Sequence, residues 1–471
     1  MQDINNIFPL IIIGAGILIS LLIEMYTKKS EIILPWVSIV IFLFSGLYAL
    51  TTIDVRTVAF HGMLAVGGNV NIFYFIFTFG AAVVSMLSVD YLKKYDAYFG
   101  EYYILLQISV LGMMLMAGSK DLFMIFLGLE VMSVSFYALA GINRKRLAAN
   151  EASLKYFLLG AFATGFTVYG IALIYGSAGT TSIDTITAGF SDLSVNILFL
   201  GGMLLFLIGF SFKIAAFPFH MWVPDVYQGS PTTVAGLFST GGKAAAFSAI
   251  IISIFAVFNN TVDNTFEPYL SAIAVLSMLF GSIVAIAQDD IKRMLAYSSI
   301  AHAGYMIIGL AAGNYEGVAG IIFYLAAYTF MNLGAFGIIA IIEGKNETNL
   351  SINSYAGLAS QHPMLSAMLA VFMFSLAGIP PFAGFFGKYY VFVAAIKADL
   401  VWLAIVGVVS SVISVYFYLR IVVLMYFKDA EAEVAVESHN TGLLAVIISV
   451  LLVIVLGLAP GSIIDLITSY L

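Results

Sequence analysis

Residues 209–247 read GFSFKIAAFPFHMWVPDVYQGSPTTVAGLFSTGGKAAAF. Two lysines, Lys213 and Lys243, sit in apolar runs long enough to lie in a bilayer. An ammonium at the centre of a membrane helix costs about 3 kcal/mol on insertion scales. Pro218 interrupts the first run, and proline removes a backbone donor and frees a carbonyl. Two charges around a broken helix are costly as packing alone. They make sense as part of a path for a cation, above all the proton.

The rest of the chain supplies the membrane. Of its 471 residues 62% are hydrophobic and only 10% are charged, and the mean hydropathy is +1.05. That composition excludes a soluble globular domain. The apolar runs are continuous, where a membrane β-barrel would show short alternating segments. With no Cys, thiolate zinc sites, Cys-held iron–sulfur clusters and disulfides are excluded. The five His, at 61, 220, 302, 362 and 439, have no metal-ligand spacing. A net charge of −7 argues against nucleic acid as a partner. The first ten residues, MQDINNIFPL, lack the basic region of a cleaved signal peptide, so Ile7–Tyr26 is expected to be a retained span.

Apolar runs predict an all-α polytopic membrane protein of about 14 transmembrane helices, one membrane domain over 1–471. Spans 1–3 fall within residues 1–90, with a small β-hairpin expected between the second and third. Lys and Arg separate cleanly between loops: 11 follow odd-numbered spans and 3 follow even-numbered ones. The positive-inside rule then puts both termini outside the cytoplasm. Five basic residues remain within spans: Lys155, Lys213, Lys243, Lys388 and Arg420.

The middle of the chain repeats faintly. EASLKYFLLGAF (151–162) lines up with VAGIIFYLAAYT (318–329), and SKDLFMIFLGLE (119–130) with QDDIKRMLAYSS (288–299). Pro218-Phe219 matches Pro381-Phe382, and a second break, Gly378-Ile379-Pro380-Pro381, interrupts the run 364–396. This predicts two five-span repeats, about 102–258 and 268–427, followed by a last span at 441–458. An odd number of spans inverts the second copy. Inverted repeats with a broken helix in each half are a common layout of ion-coupled transporters.

The intramembrane charges each have a plain and a functional reading. Glu130, in the middle of span 5, is either a structural partner for a lysine or a proton carrier tuned by it. Lys243, about a dozen residues from either end of its span, is too deep to snorkel. Lys388 follows the second break. Lys155 lies one turn into span 6, where snorkelling or an i,i+4 pair with Glu151 competes with a relay role. His302 lies beside Ser298 and Ser299 and is either a satisfied core residue or a two-way proton relay. Arg420 holds its proton too firmly to carry it and reads as an anchor. Lys292, Arg293 and Lys397 read as border residues. The 39 Phe and 26 Tyr read as packing and lipid-facing residues. No nucleotide-binding or haem motif is present.

The segments 212–247, DIKRMLAYSSIAHAGY (290–305) and LAGIPPFAGFFGKYYVF (376–392) closely resemble the subunit N family of the proton-pumping NADH-quinone oxidoreductase, respiratory complex I. The resemblance covers essentially the whole chain. PDVYQGSP after span 7, and lysine at 388, are similar to subunit N more than to its antiporter-like relatives. The chain stops soon after span 14, without the long lateral helix of subunit L. The resemblance implies that Glu130 and Lys213 form the charge pair of a first half-channel. It makes Lys243 the central relay, Lys388 the exit-side lysine, and Lys155 and His302 auxiliary relay positions. It implies no cofactor in this chain, with flavin, iron–sulfur clusters and quinone in partner subunits. It also implies neighbouring antiporter-like and small membrane subunits as partners, and a bacterial inner-membrane location with periplasmic termini. A subunit of a cation/proton antiporter is the alternative, and a proton-inert spacer the third reading.

Overall fold

The computed structural model describes residues 7–95, 98–258, 266–345, 348–430, 433–436 and 440–471. The first six residues and His439 therefore lie outside the described residues. The chain is a bundle of helices with one two-stranded hairpin, β1 (Thr57–Ala59) against β2 (Leu64–Val66), antiparallel with Val58 opposite Ala65. The hairpin stands where it was expected. It separates α1 (Phe8–Tyr26) and α2 (Ser30–Thr51) from α3 (Gly68–Lys94).

The chain continues through α4 (Glu101–Gly118), α5 (Leu122–Ala140), α6 (Leu147–Ala178) and α7 (Ile197–Lys213). After a break comes the short α8 (Val223–Gly229), then α9 (Thr232–Phe255). The second half holds α10 (Glu267–Ile286), α11 (Ile291–Ala311) and α12 (Tyr315–Ile342). It then runs through α13 (Pro363–Ala377), α14 (Ala383–Lys397), α15 (Val401–Phe427) and α16 (Asn440–Leu458). A final short helix, α17 (Pro460–Ser469), had no counterpart among the expected spans. It folds back on the hairpin, where Arg56 donates to the Ser469 carbonyl and the Tyr470 hydroxyl to Asp54.

Among the described residues, twelve helices are long and apolar enough to cross a membrane. The expected seventh and twelfth spans are shorter helices on either side of a break, α7 before residues 214–222 and α13–α14 around residues 378–382. Three helices are almost wholly internal: 94% of the apolar window is buried in α9, α11 and α12, against 33% in α1 and α6. The outer helices therefore present apolar side chains outward, as lipid or a neighbouring subunit requires. The inner three carry Lys243 and His302.

α9 is not a uniform α-helix. Two π-helical turns, Phe238–Gly242 and Ile251–Phe255, widen it, and Lys243 follows the first directly. Such turns free carbonyls and are frequent at functional sites. Gly-Gly at 241–242 permits close packing there: a Cβ on Gly242 would lie 2.7 Å from the Phe136 ring.

One local device occurs twice. Asp121 caps α5 through the Phe123 and Met124 amides, and the strand-like residues beside it exchange backbone bonds, Leu122 N to Thr181 O (3.0 Å) and Ile183 N to Lys120 O (3.0 Å). Asp290 caps α11 through the Arg293 amide, with Ile291 N to Leu350 O (2.9 Å) and Ile352 N to Asp289 O (2.8 Å). Each residue of the second set stands 169 positions after its counterpart. Because a capping side chain satisfies amides that the helix leaves orphaned, Asp121→Ala and Asp290→Ala are each expected to cost about 1 kcal/mol. The check is the thermal midpoint of the purified protein in detergent, which should fall by a similar amount in both; an unchanged midpoint contradicts the capping role.

Candidate functional site

α5 sets out its polar residues along one face: Glu130, Ser133 and Tyr137 are spaced i, i+3, i+7. Lys213, the last residue of α7, is 5% exposed and donates to Ser133 Oγ (2.8 Å) and the Tyr137 hydroxyl (3.3 Å). Its ammonium also lies over the Tyr137, Tyr156 and Phe212 rings at 5.4–5.6 Å. Glu130 is half-buried, accepts a hydrogen bond from Thr164 (2.8 Å), and makes no direct ion pair with Lys213. The expected charge pair is thus an open one here. The two charges act on each other across the hydroxyls of the same helix face. The break after Lys213 is stabilised by polar contacts: Trp222 donates to the Phe212 carbonyl and the Phe217 amide donates to Ser277.

Lys155 does not pair with Glu151. It binds Asp225, which also receives Arg293 at 2.7 Å, so α6 and α11 meet through one carboxylate on α8. Asp225 lies past Trp222, outside the membrane passages, at the end of the bundle that carries the basic loop 144–146. Burial pushes its carboxyl up, but hydrogen bonds from Lys155 and Arg293 and the charges of both hold it below the ordinary carboxylate value. All three side chains are partly exposed, so solvent screens the contribution. A cavity of about 220 Å³ opens here beside Arg146 and Glu151. A larger one, about 680 Å³, runs from Arg144 and Lys145 to Tyr137, the hydroxyl that Lys213 binds.

Lys243 is 1% exposed and donates to both the carbonyl and the hydroxyl of Ser299. A polar chain continues from that point on α11. Ser298 bonds the Tyr418 hydroxyl, which lies 3.0 Å from His302 Nε2, and His302 Nδ1 lies 2.8 Å from the Tyr324 hydroxyl. The imidazole therefore bridges two tyrosines from α15 and α12, one at each ring nitrogen. Lys388 stands beyond. It donates to the Ala377 carbonyl (3.0 Å) and to Ser411 (2.9 Å), and lies 4.8 Å from the Tyr305 ring centre. The Ala377 carbonyl belongs to the C-terminal end of α13, where helix dipole and orphan acceptor favour a cation. So the second break, at Pro380 and Pro381, is what supplies the oxygen for Lys388, as the break at Pro218 leaves Lys213 at a helix end.

The remaining border residues divide. Arg420 anchors as expected, on the Gln288 carbonyl and Asp289. Lys397 pairs with Glu316 at the surface. Lys292 lies at the border, as the second residue of α11, but does not snorkel: it is fully buried with its head on the carbonyls of Gln228 and Ser230. The packing reading of the tyrosines also fails at Tyr137, Tyr324 and Tyr418, whose hydroxyls carry the polar chain. A signal was present, since a tyrosine deep in an apolar span needs a partner that phenylalanine does not. Among the described residues no group of three His, Cys, Asp or Glu could hold a metal ion.

A bundle with interrupted helices and a row of buried, hydrogen-bonded lysines, tyrosines and one histidine defines an ion-translocating membrane subunit. The profile of the family described as NADH:quinone oxidoreductase/Mrp antiporter, TM, matches residues 119–414, and the chain belongs to this family. It is 45% identical over 434 residues to the NADH-quinone oxidoreductase subunit N of Trichlorobacter lovleyi, covering 92% of this chain and 89% of that one. It is 43% identical over 468 residues to subunit N 1 of Chloroherpeton thalassium, covering 99% and 98%. A chain of respiratory complex I from Thermus thermophilus superposes with a TM-score of 0.85 at 32% identity, covering 97% and 98%. A chain of the Mrp complex from a Dietzia species shares the fold, TM-score 0.85 at 19% identity, covering 99% and 97%.

The Lys388 geometry depends on Gly378. Its φ is +84°, and a Cβ there would lie 3.0 Å from the Lys388 stem. Gly378→Ala is expected to cost about 1–2 kcal/mol from the left-handed backbone alone. It should lower the denaturation midpoint of the purified protein; a wild-type midpoint rules out this packing.

Proposed function

We propose that this chain is the proton-translocating, antiporter-like subunit of an NADH-quinone oxidoreductase, with proton carriers Lys213, Lys243, His302 and Lys388 and with Glu130 as the control charge. One observation carries this: Lys243 is bonded to Ser299, and from the adjoining Ser298 a buried hydrogen-bonded chain runs through Tyr418 and His302 to Tyr324. Hydroxyls and imidazole both donate and accept, so a proton can enter at one end and another leave at the other.

The driver is electrostatic. A carboxylate brought against Lys213 holds its proton; withdrawal lets the proton move toward Lys243. Glu130 is half-buried near the outer surface, within reach of a charge on a neighbouring membrane subunit. The large cavity ending on Tyr137 gives Lys213 access to water. Lys155, tied to Asp225 beside the smaller cavity, is an auxiliary site at the mouth. The paired caps and backbone bonds at Asp121 and Asp290 support two five-helix repeats, about 102–258 and 268–427, inside one membrane domain. The loops rich in Lys and Arg favour a cytoplasmic side for these mouths and periplasmic termini, in the bacterial inner membrane that this reading assigns to the chain. Without Cys, the chain lacks the usual ligands of an iron–sulfur cluster, and on this reading flavin, iron–sulfur clusters and quinone belong to partner subunits. The relatives near 40–45% identity favour this reading over a cation/proton antiporter subunit.

Lys213→Ala and Glu130→Ala are expected to assemble into the complex while NADH-driven proton translocation in inverted vesicles drops about two-fold or more. Tyr418→Phe, which keeps the ring and removes the oxygen between Ser298 and His302, should do the same. Full translocation in all three variants defeats the proposal.

A further inference from the structure

A second set of buried polar groups lies apart from this chain, at the basic-loop end. Glu343 ends α12 and is fully buried. Its Oε1 accepts from Tyr95 (2.8 Å) and Tyr91 (3.3 Å), and its Oε2 from Thr232 (2.5 Å), the first residue of α9. Lys94 donates to its backbone carbonyl. Tyr95 is only half-buried and marks the outer edge of the set. Lys292 lies within electrostatic reach of Glu343, Arg146 and Asp290.

Lys292 and Ser299 share one face of α11. Seven residues apart, they are separated by about 10 Å along the helix axis. Ser299 is the residue that holds Lys243. In this region, among the described residues, the buried hydroxyls of Tyr355 and Ser230 and the amide oxygen of Asn332 have no hydrogen-bond partner, and the Tyr227 hydroxyl has only a marginal approach to Ser299. Tyr355 stands within reach of Glu343 and Asp290. Ser230 offers its carbonyl to Lys292. Tyr227 and Tyr328 both stand within reach of Ser299, and Asn332 donates to Tyr328 at 3.2 Å. The unpartnered atoms thus begin near Glu343 and end near Lys243. Buried polar atoms in native interiors are almost always paired, and ordered water is the usual partner when protein is not.

We propose that these groups hold a chain of water molecules, and that Glu343 and Lys292 form the loading point of a proton path reaching Lys243 from the basic-loop side without passing Lys213. The proposal rests on the function given above. Glu343 carboxylate takes a proton from outside water at the Tyr95 edge, forming an O–H bond. Along the chain each O–H bond breaks as the next forms. The last one breaks as an N–H bond forms on the neutral Lys243 amine, and Glu343 returns to carboxylate. Lys292 balances that carboxylate between arrivals.

The test uses the assembled complex in inverted vesicles, with Lys243→Ala as reference. Tyr227→Phe removes a single oxygen near Ser299 and keeps the ring, so it serves where Glu343→Gln fails to assemble. Both are expected at wild-type abundance with NADH-driven translocation lowered about three-fold, in the range of a lost proton-transfer group. In the native complex, X-ray hydroxyl-radical labelling is expected to oxidise Tyr227 and Tyr355 despite their burial, because bound water generates the radical beside them. Wild-type translocation in Tyr227→Phe with loss in Lys243→Ala overturns the inference and leaves the proposed function standing. Unlabelled Tyr227 and Tyr355 also overturn it. Full translocation in Lys243→Ala would instead overturn the function beneath it.

Discussion

A lysine ammonium inside a membrane protein must find oxygen, and a regular helix has little to give. All its carbonyls except the last four are committed to its own amides. Four buried lysines here solve this in two ways. Lys388 and Lys292 take main-chain carbonyls at or beside helix ends, on Ala377, Gln228 and Ser230. Lys213 takes side-chain hydroxyls from a neighbouring helix, and Lys243 takes both kinds from Ser299. Helix ends and buried charges are thus linked at Lys388 and Lys292, while Lys213 and Lys243 are held by groups within unbroken helices.

That constraint also decides which helices are interior. α9, α11 and α12 are covered by protein on nearly all sides. Only there can a polar chain run without exposing hydroxyls to lipid, where each unpaired group is costly. Glu130 is different. It sits on an outer helix, half-buried, with a threonine as partner. A charge at the edge senses neighbours, and charges at the centre are shielded from everything except each other. The division matches a device controlled from the side and conducting through the middle.

Much of this was legible in the sequence because depth in an apolar run and charge are both one-dimensional properties. Glu130, Lys213, Lys243, Lys388 and both breaks could be found that way, and so could the hairpin. What could not be found depends on which residues of distant segments face each other. Asp225 gathers Lys155 and Arg293 from two helices, and no local spacing encodes that. Lys292 reads as a snorkelling residue because it stands at a span border, and its burial comes from the distant segment 228–230 packed over it. Tyrosines escaped because their rings obey the same apolar periodicity as phenylalanine, and only the oxygen distinguishes them. The π-turns of α9 leave no trace in hydropathy at all.

The unpaired state of Glu130 and Lys213 says which contacts the proposed control would have to break. Ser133 and Tyr137, which hold Lys213, lie on the same face of α5 as Glu130, one and two turns away. Bringing the carboxylate to the ammonium requires Glu130 to leave Thr164. The competing contacts are hydroxyls, each worth about 1–3 kcal/mol to a charged partner. An approaching charge of either sign in a low-dielectric setting exceeds that readily. On the proposed reading, a charge signal at the subunit edge would act through Glu130 on the proton affinity of Lys213, beside inner helices that protein covers on nearly all sides.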